Sequence, residues 1–343
     1  MWWITLSLVL LYSATFSVFG LPPDVSCKNR EGNDIDWFII YKSPVVEYRR
    51  TGLSYMYFDI LFQPPSFGFL SYSDQPPGAS ANIRLFGHSK GVVMGDISSQ
   101  TALWITHSTP QFPFRRDQNR FWPDSGNVNG QSFMCVSLPF SELKGLGEHL
   151  QNIQAYPYDY DLPDTFPDEL KNAAKWVKSS TSQSKLRVMH TRGNQELNLM
   201  AKPLGHNASD GDLYVKLANA FNSDMSVQTW GCQRGGDKSF CPTGQWKVMN
   251  VEEISTAPAT WKTEQDHSKW GVTTRQNIAW TCFGDVNRSE SQYQRWGGAL
   301  CINDAQVNDA FKKFISKQLP CRKRPLTCPD SDLFDATRTA SFG

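Results

Sequence analysis

The sequence predicts an α/β protein built from two related halves. Three observations predict it. Strand-like and helix-like stretches are mixed along the chain, a His-Ser-Lys tripeptide occurs twice in similar surroundings, and 343 residues suit one large domain or two lobes. Lys plus Arg number 34 and Asp plus Glu 33, a formal charge of +1. That balance excludes a polybasic histone-like binder and an acidic disordered tail protein. Hydrophobic residues make up 40% and aromatics 13%, enough to bury a large core and to exclude wholesale disorder.

Residues 1–20 carry no charge, are mostly apolar from 4 to 19, and precede Leu21-Pro22-Pro23, which reads as a secretory signal peptide. No later stretch is apolar for the roughly 20 residues of a spanning helix, so no stable membrane association is expected. Trp37-Phe38-Ile39-Ile40-Tyr41 reads as a strand broken by Lys42-Ser43-Pro44, and the Pro-, Gly- and Ser-rich stretch 62–80 as loop. Leu85 to Met94 and Ala102 to Thr106 are strand-like around a turn at Gly95 to Gln100, and Val136 to Pro139 is a short apolar piece. Residues 156–167, with three prolines, read as loop. Helices are expected from Pro167-Asp168-Glu169 to Val177, and from Leu213 to Phe221 with Asp210 as cap. A final helix is expected after Asn303 or Asp304, with Val307, Phe311, Phe314, Ile315 and Leu319 as its apolar face and Pro320 as its end. This organisation divides the chain into a signal peptide (1–20), an N-terminal lobe (21–180), a C-terminal lobe (181–321) and a mobile tail (322–343).

The eight cysteines form no C-x-x-C pair, which argues against a zinc ribbon, and an even number behind a signal peptide points to disulfides in an oxidising compartment. About 105 pairings are arithmetically open. Asn207-Ala208-Ser209 is a usable glycosylation sequon in a polar stretch.

The most informative feature is the duplication. His88-Ser89-Lys90 recurs as His267-Ser268-Lys269, 179 residues later. Twenty residues beyond each His stands a polar cluster, Ser108 with His107 in one copy and Asn287 with Asp285 in the other. With a turn centred between Ser98 and Ser99, antiparallel partners in the first copy sum to 197, which sets Lys90 opposite His107. With a turn near Gln276, the second copy sums to roughly 553 and sets Lys269 opposite Gly284. Residues two apart on a strand share a face, so each imidazole is joined by an ammonium. The ammonium supplies a point charge for a phosphate oxygen, and the imidazole serves as nucleophile, base or acid. Two such units facing each other across a lobe interface are suited to a two-step in-line displacement through a phosphohistidine, without metal or cofactor. The alternative is coincidence between two solvated strand ends.

These residues resemble the deoxyribonuclease II family, acid endonucleases related in architecture to phospholipase D. The resemblance runs through Asp36 to Lys42, Asp74-Gln75-Pro76-Pro77, Gly87-His88-Ser89-Lys90-Gly91, His107 to Pro113, Gly211-Asp212-Leu213-Tyr214, Asp266-His267-Ser268-Lys269-Trp270 and Trp280 to Arg288. It implies two pseudo-twofold-related lobes of phospholipase D-like type, mixed β-sheets flanked by helices, and an active site between the lobes. It implies metal-independent cleavage of double-stranded DNA at acidic pH to 3′-phosphate and 5′-hydroxyl ends, in a secreted or lysosomal setting. His88 and His267 would be nucleophile and leaving-group acid, in an order the resemblance does not fix, though we favour His88 as nucleophile. Lys90 and Lys269 would clamp the phosphate. Asn287 and Asp285 on one side, with His107 and Ser108 on the other, would contact or orient it. The implied disulfides are Cys27 to Cys135, Cys241 to Cys321 and Cys282 to Cys301. Cys232 and Cys328 remain over, Gly271 stands where many relatives have Cys, and the chain continues past Cys321, near which relatives commonly end.

Asn287 also heads a sequon, and facing a phosphate would exclude a glycan there. Asp96 is an orienter or a turn residue. Phe112, Phe114, Phe121 and Trp122, near Arg115, Arg116 and Arg120, are core or flank DNA. His149, His190 and His206 read as packing or surface residues. At a pH of about 5 the six histidines would add positive charge for holding DNA. The rival expectations are a non-catalytic relative that binds DNA or a host protein, and a phosphodiesterase of lipid head groups. Pairing into a homodimer is left open.

Overall fold

The computed structural model describes residues 24–44, 64–79, 85–118, 120, 122–177, 185–202, 204–230, 235–256 and 259–321. The signal peptide, the tail, Cys232 and Cys328 lie outside the described residues. Two short strands, β1 (Cys27–Lys28) and β2 (Asp34–Ile35), lead into β3 (Trp37–Lys42), β4 (Phe67–Ser73), β5 (Lys90–Asp96), β6 (Thr101–His107), β7 (Gln131–Pro139) and β8 (Pro157–Asp161). Helices α1 (Leu143–Asn152) and α2 (Asp168–Ala174) flank β8 in sequence. The second half contains β9 (Lys185–His190), β10 (Glu196–Lys202), α3 (Ala208–Gly211), α4 (Leu213–Ala220), β11 (Met225–Gln228), β12 (Val248–Thr256), β13 (Ala259–Lys262), β14 (Trp270–Thr273), β15 (Trp280–Gly284), α5 (Glu290–Tyr293), β16 (Gly297–Asn303), α6 (Ala305–Lys313) and β17 (Ile315–Gln318).

Among the described residues the strands form a six-stranded sheet ordered β3-β7-β6-β5-β4-β8 and a nine-stranded sheet ordered β13-β12-β11-β14-β15-β16-β10-β9, with β17 on β12. The first is wholly antiparallel; the second is mixed, because β11 and β12 run parallel. The same unit is embedded in both. The order β3-β7-β6-β5-β4 in one sheet matches β10-β16-β15-β14-β11 in the other, with the same succession along the chain and antiparallel pairing throughout. Both expected hairpin registers are present. Gly91 pairs with Thr106 and Asp96 with Thr101, each summing to 197. Trp270 pairs with Phe283 and Val272 with Thr281, each summing to 553.

One apolar core joins the two sheets. It takes Leu70, Val93, Trp104 and Val136 from the first, Leu199, Trp270, Phe283 and Leu300 from the second, and Leu143, Leu146 and Leu150 from α1. Tyr41 of β3 is embedded in second-half aromatics, stacked on Phe311 at 5.9 Å between centroids and edge-on to Trp261 at 5.6 Å. The two halves are therefore packed as one body, which fixes whatever lies at their junction.

Several elements depart from the sequence reading. The stretch read as loop at 62–80 contains β4, an inner strand between β5 and β8 with Phe69, Leu70, Ser71, Tyr72 and Ser73 all buried. Burial of both faces removes the alternation that marks a half-exposed strand. Residues 157–161 also form a strand, β8, and its Pro157 is tolerated because the strand is at an edge. Helix α1, a stretch to which the sequence reading gave no element, has Gly145 and Gly147 inside it. A Cβ on Gly147 would stand 2.4 Å from the Leu170 backbone nitrogen, so the glycine lets α1 and α2 touch. Asp212 caps α4 by accepting from the Tyr214 N–H, whereas Asp210 closes the capping box of α3 with Asn207. The last helix is capped by Asp304 as expected but ends at Lys313, and Ile315 to Gln318 continue as β17 on β12.

The three expected disulfides join Cys27 to Cys135, Cys241 to Cys321 and Cys282 to Cys301. The first fastens the N-terminal segment to β7, and the third joins directly paired residues of β15 and β16. A native bridge contributes about 2–4 kcal/mol. Reduction is thus expected to lower the melting temperature by several degrees. An unchanged melting temperature after verified thiol release would refute a structural role. No helix among the described residues is long and apolar enough to cross a membrane.

Candidate active site

Both His-x-Lys units sit at the entry to corresponding strands, with Lys90 the first residue of β5 and Lys269 just ahead of β14. His88 precedes β5 and His267 precedes β14, so the histidines lie in extended leads rather than within the strands that the sequence suggested. The i, i+2 relation survives in extended backbone: Ser89 and Ser268 are fully buried, while the flanking histidines are only half-buried. Gly87 permits the first lead. A Cβ there would fall 1.9 Å from the Ile153 carbonyl oxygen and 3.1 Å from that of Trp296, and the latter accepts the His88 backbone N–H at 3.0 Å. The first unit is therefore docked against a second-half segment. The reverse also holds: the His267 backbone N–H donates to the Gly130 carbonyl of the first half at 2.9 Å.

The two units act on each other electrostatically. Burial is the largest influence on His267, and next come the ammonium groups of Lys269 and of Lys90 from the other half, which together push it down to about 3. His88 is held well below the usual imidazole range by burial, then by Arg295, Lys90 and Lys269. Gln292 lies close enough to favour the protonated His88, although neither His88 Nδ1 nor Gln292 Oε1 completes a hydrogen bond of good geometry. Lys269 is pushed down to about 7, by burial first and Lys90 second, and its ammonium donates to the His267 carbonyl at 2.7 Å. Like charges crowded in a dry site repel protons, so this cluster disfavours its own protonation and has the charge to hold an anion.

Carboxylates surround the cluster. Asp74 Oδ1 lies 2.6 Å from Lys90 Nζ, and its Oδ2 lies 2.5 Å from Arg295 Nη2 and 3.9 Å from His88 Nε2. Asp285 accepts the Gly298 N–H at 2.7 Å; burial pushes its carboxyl up to about 7 against the pull of Lys90 and Lys269. Asp266, next to His267 in sequence, is fully buried. It accepts from Tyr41 Oη, from Trp261 Nε1 at 2.7 Å and from the Ser268 N–H at 2.8 Å, and burial raises its pKa. These bonds brace the second lead on the first half through Tyr41.

The supporting residues separate into two groups. Asn287 is buried, accepts the Trp230 backbone N–H at 3.2 Å, and so reaches His267 through Trp230, whose ring lies 4.7 Å from the imidazole. Its burial removes the competing sequon reading. His107 is next to Lys90, but its ring is enclosed, stacked on Phe133 at 5.6 Å and edge-on to Phe112 at 5.1 Å. Burial and Lys90 hold it at about 3. Ser108 Oγ donates to Gln131 Oε1 at 2.5 Å and accepts from the Ser132 N–H at 3.0 Å, so its bonds are spent on β7. Asp96 is a turn residue, its Oδ1 accepting the Ser98 N–H. Asn207 is exposed and caps α3.

One sequence reading is corrected. The expected positive charge from histidines at acid pH does not come from His88, His107, His149 or His267, because burial and neighbouring cations hold all four below the usual range. Of the aromatic group near Arg115, which the sequence left as core or DNA-flanking, Phe112 belongs to the core, fully buried against Trp122 and Phe133, and Arg116 is paired with Asp159 and Asp161, while Phe114 is half-buried with the Arg120 guanidinium 4.7 Å from its ring centroid. Phe121 lies outside the described residues. The sequence reading gave no role to Asp74, Trp230, Gln292 or Arg295. Asp74 and Asp266 stood in the quoted strings, but Arg295 is 221 residues from its partner and carries no local signal.

Comparison with known proteins adds family membership. A family model for Deoxyribonuclease II matches residues 26–63 and 60–321. Plancitoxin-1 of Acanthaster planci is 31% identical, over 93% of this chain and 98% of its own. Deoxyribonuclease-2-alpha of Rattus norvegicus is 29% identical, over 87% of this chain and 95% of its own. Among solved structures, the yeast tyrosyl-DNA phosphodiesterase aligns over 67% of this chain and 69% of its own, at 12% identity and a TM-score of 0.32.

Proposed function

The chain belongs to the deoxyribonuclease II family, and from that premise we propose that it is an acid endonuclease. It hydrolyses double-stranded DNA to 3′-phosphate and 5′-hydroxyl ends, without a metal ion and through a phosphohistidine. The observation that carries the reading is the docking of each His-x-Lys unit against the other half, His88 N–H on the Trp296 carbonyl at 3.0 Å and His267 N–H on the Gly130 carbonyl at 2.9 Å, with Lys90 near enough to act on His267 and Lys269 on His88. Such coupling supports one shared phosphate position between the halves.

In this reading the neutral His88 imidazole attacks phosphorus. Protonated His267 gives its proton to the departing 5′-oxygen, leaving the 3′-phosphoryl group bonded to His88. Neutral His267 then takes a proton from water; the oxygen attacks phosphorus, the P–N bond breaks, and the 3′-phosphate departs. Lys90 and Lys269 hold the equatorial oxygens, where a metal-dependent enzyme would use a cation. Asn287 orients the His267 side through Trp230, the Asp285 carboxyl is near enough to act on both lysines, and His107 and Ser108 stiffen the end of β6 beside Lys90. The low proton affinity of His267 explains why acid is needed. The entering phosphodiester supplies the negative charge that offsets Lys90 and Lys269 and lets the ring take up a proton. Lys269 and Asp285, both at about 7, act in the same sense. Above that pH the lysine loses its charge and the carboxylate gains one, so the site becomes less attractive to phosphate. The three disulfides fit a secreted or lysosomal setting.

Plasmid nicking by pure protein at about pH 5 in excess EDTA tests the reading. Nicking that chelator leaves intact is expected. Loss that zinc or magnesium restores would overturn the metal-free chemistry, and DNA binding without cleavage would favour a non-catalytic binding protein.

A further inference from the structure

We propose that Arg295 is a third cation of the phosphate site. Its guanidinium takes a non-bridging oxygen of the DNA phosphodiester during displacement, and Asp74 is the carboxylate that holds it in place between turnovers. The inference rests on the phosphodiesterase reading and adds a group to the site that neither His-x-Lys unit supplies.

Three observations place the guanidinium there. The backbone next to Arg295 is fixed to the first His-x-Lys unit, because the Trp296 carbonyl accepts the His88 N–H at 3.0 Å. Among the charges acting on His88, Arg295 has the largest effect, ahead of Lys90 only two residues away. One carboxylate, Asp74, gathers Lys90 at 2.6 Å, Arg295 at 2.5 Å and the His88 ring at 3.9 Å, so these three heads surround one point. The Arg295 side chain is 11% exposed and that of His88 14%, so both present a similar narrow surface, whereas Asp74 at 1% lies behind them.

Charge balance gives the arrangement a purpose. Asp74 offsets one of the two cations it touches, Lys90 or Arg295. The three groups together therefore keep a net positive charge toward the phosphoryl oxygens. A guanidinium presents five N–H donors in a planar fork, so it can serve a carboxylate and a phosphate at once. Without Asp74, Lys90 and Arg295 would repel each other around an imidazole that must approach phosphorus.

The test compares wild type with Arg295→Ala, Arg295→Gln and Arg295→Lys at about pH 5 in EDTA. It measures duplex cleavage, inhibition by orthovanadate, the pH–rate profile and the melting temperature. Arg295→Ala is expected to cleave about 10²-fold more slowly, the loss typical of one oxyanion donor. It should bind orthovanadate at least about tenfold more weakly. The pH limb set by His88 should move to higher pH, because the largest charge holding its proton affinity down is gone. Arg295→Lys should recover part of the rate, keeping the charge but not the fork. A clasp alone would lower the melting temperature and shift the limb in the same way, but would leave the vanadate affinity of the folded molecules where it was. Folded Arg295→Ala that cleaves within about twofold of wild type, or binds orthovanadate equally well, would overturn the assignment. If the Ala and Gln variants do not fold, Arg295→Lys decides: weakened vanadate binding supports the proposal, and wild-type binding overturns it. A wild-type protein that cleaves no DNA in the same assay would instead bring down the phosphodiesterase reading.

Discussion

Replacing His267 with Ala is expected to reduce DNA cleavage by about 10³-fold or more, the scale of losing a general acid–base group. The fold should survive. The imidazole is half-buried, touches Trp230, and its removal leaves the buried Asp266 bracing intact. Linkage gives a second readout. The folded protein holds His267 at about 3, below the roughly 6.5 of an unfolded chain. Its contribution to stability is therefore full above about 6.5 and is lost as pH falls toward 3, because the unfolded chain takes up the proton first. Removing the ring removes that loss, so His267→Ala should match or exceed the wild-type melting temperature at about pH 5. A variant that cleaves at near wild-type rate would contradict the role. A variant that melts early at acid pH would instead assign the lost activity to damage in the fold. Because the two histidines act as a unit, the double variant with His88→Ala should be little worse than either single one.

Lys269→Met is expected to be nearly as damaging to cleavage, by about 10²–10³-fold, yet to stabilise the protein. Lys269 is buried, and its pKa falls from 10.5 to about 7, a displacement of several kcal/mol against the charged form. The stability this lysine permits is complete above 10.5, declines as pH falls toward 7, and is lowest in the acid range where the enzyme is proposed to work. Methionine fills similar volume without a charge, so the melting temperature at about pH 5 should rise by some degrees, despite the lost bond to the His267 carbonyl. The cost of keeping the ammonium is then a cost of phosphate binding. A less stable Lys269→Met, or one that cleaves as wild type does, would contradict this. The wild-type rate should also fall as pH rises through about 7, when Lys269 discharges and Asp285 ionises.

The parts of the site that were legible in the sequence are those whose signal is local or repeated. The placement of each turn, between Ser98 and Ser99 and near Gln276, gave both hairpin registers, because a strand pair around a short turn leaves one free parameter. The disulfides were legible through the family resemblance rather than through spacing. Residues that matter through distant partners were not legible. Asp74 and Arg295 are each ordinary in their own surroundings, and only the packing of the two halves brings them together. The histidine charge was misread for a related reason. A ring's proton affinity belongs to its neighbours, and His88 and His267 are surrounded by cations contributed from both halves. Strand β4 was hidden because an inner strand buried on both faces has no polar face to alternate with.

A crystal structure grown at about pH 5 with orthovanadate and a short DNA strand tests the central claim most directly. The account predicts one vanadium between the halves, bonded to a nitrogen of His88 or His267, with the other imidazole at the opposite apical oxygen and Lys90 and Lys269 on equatorial oxygens. Vanadate held by one His-x-Lys unit alone, with the second imidazole out of reach of the same vanadium, would contradict it.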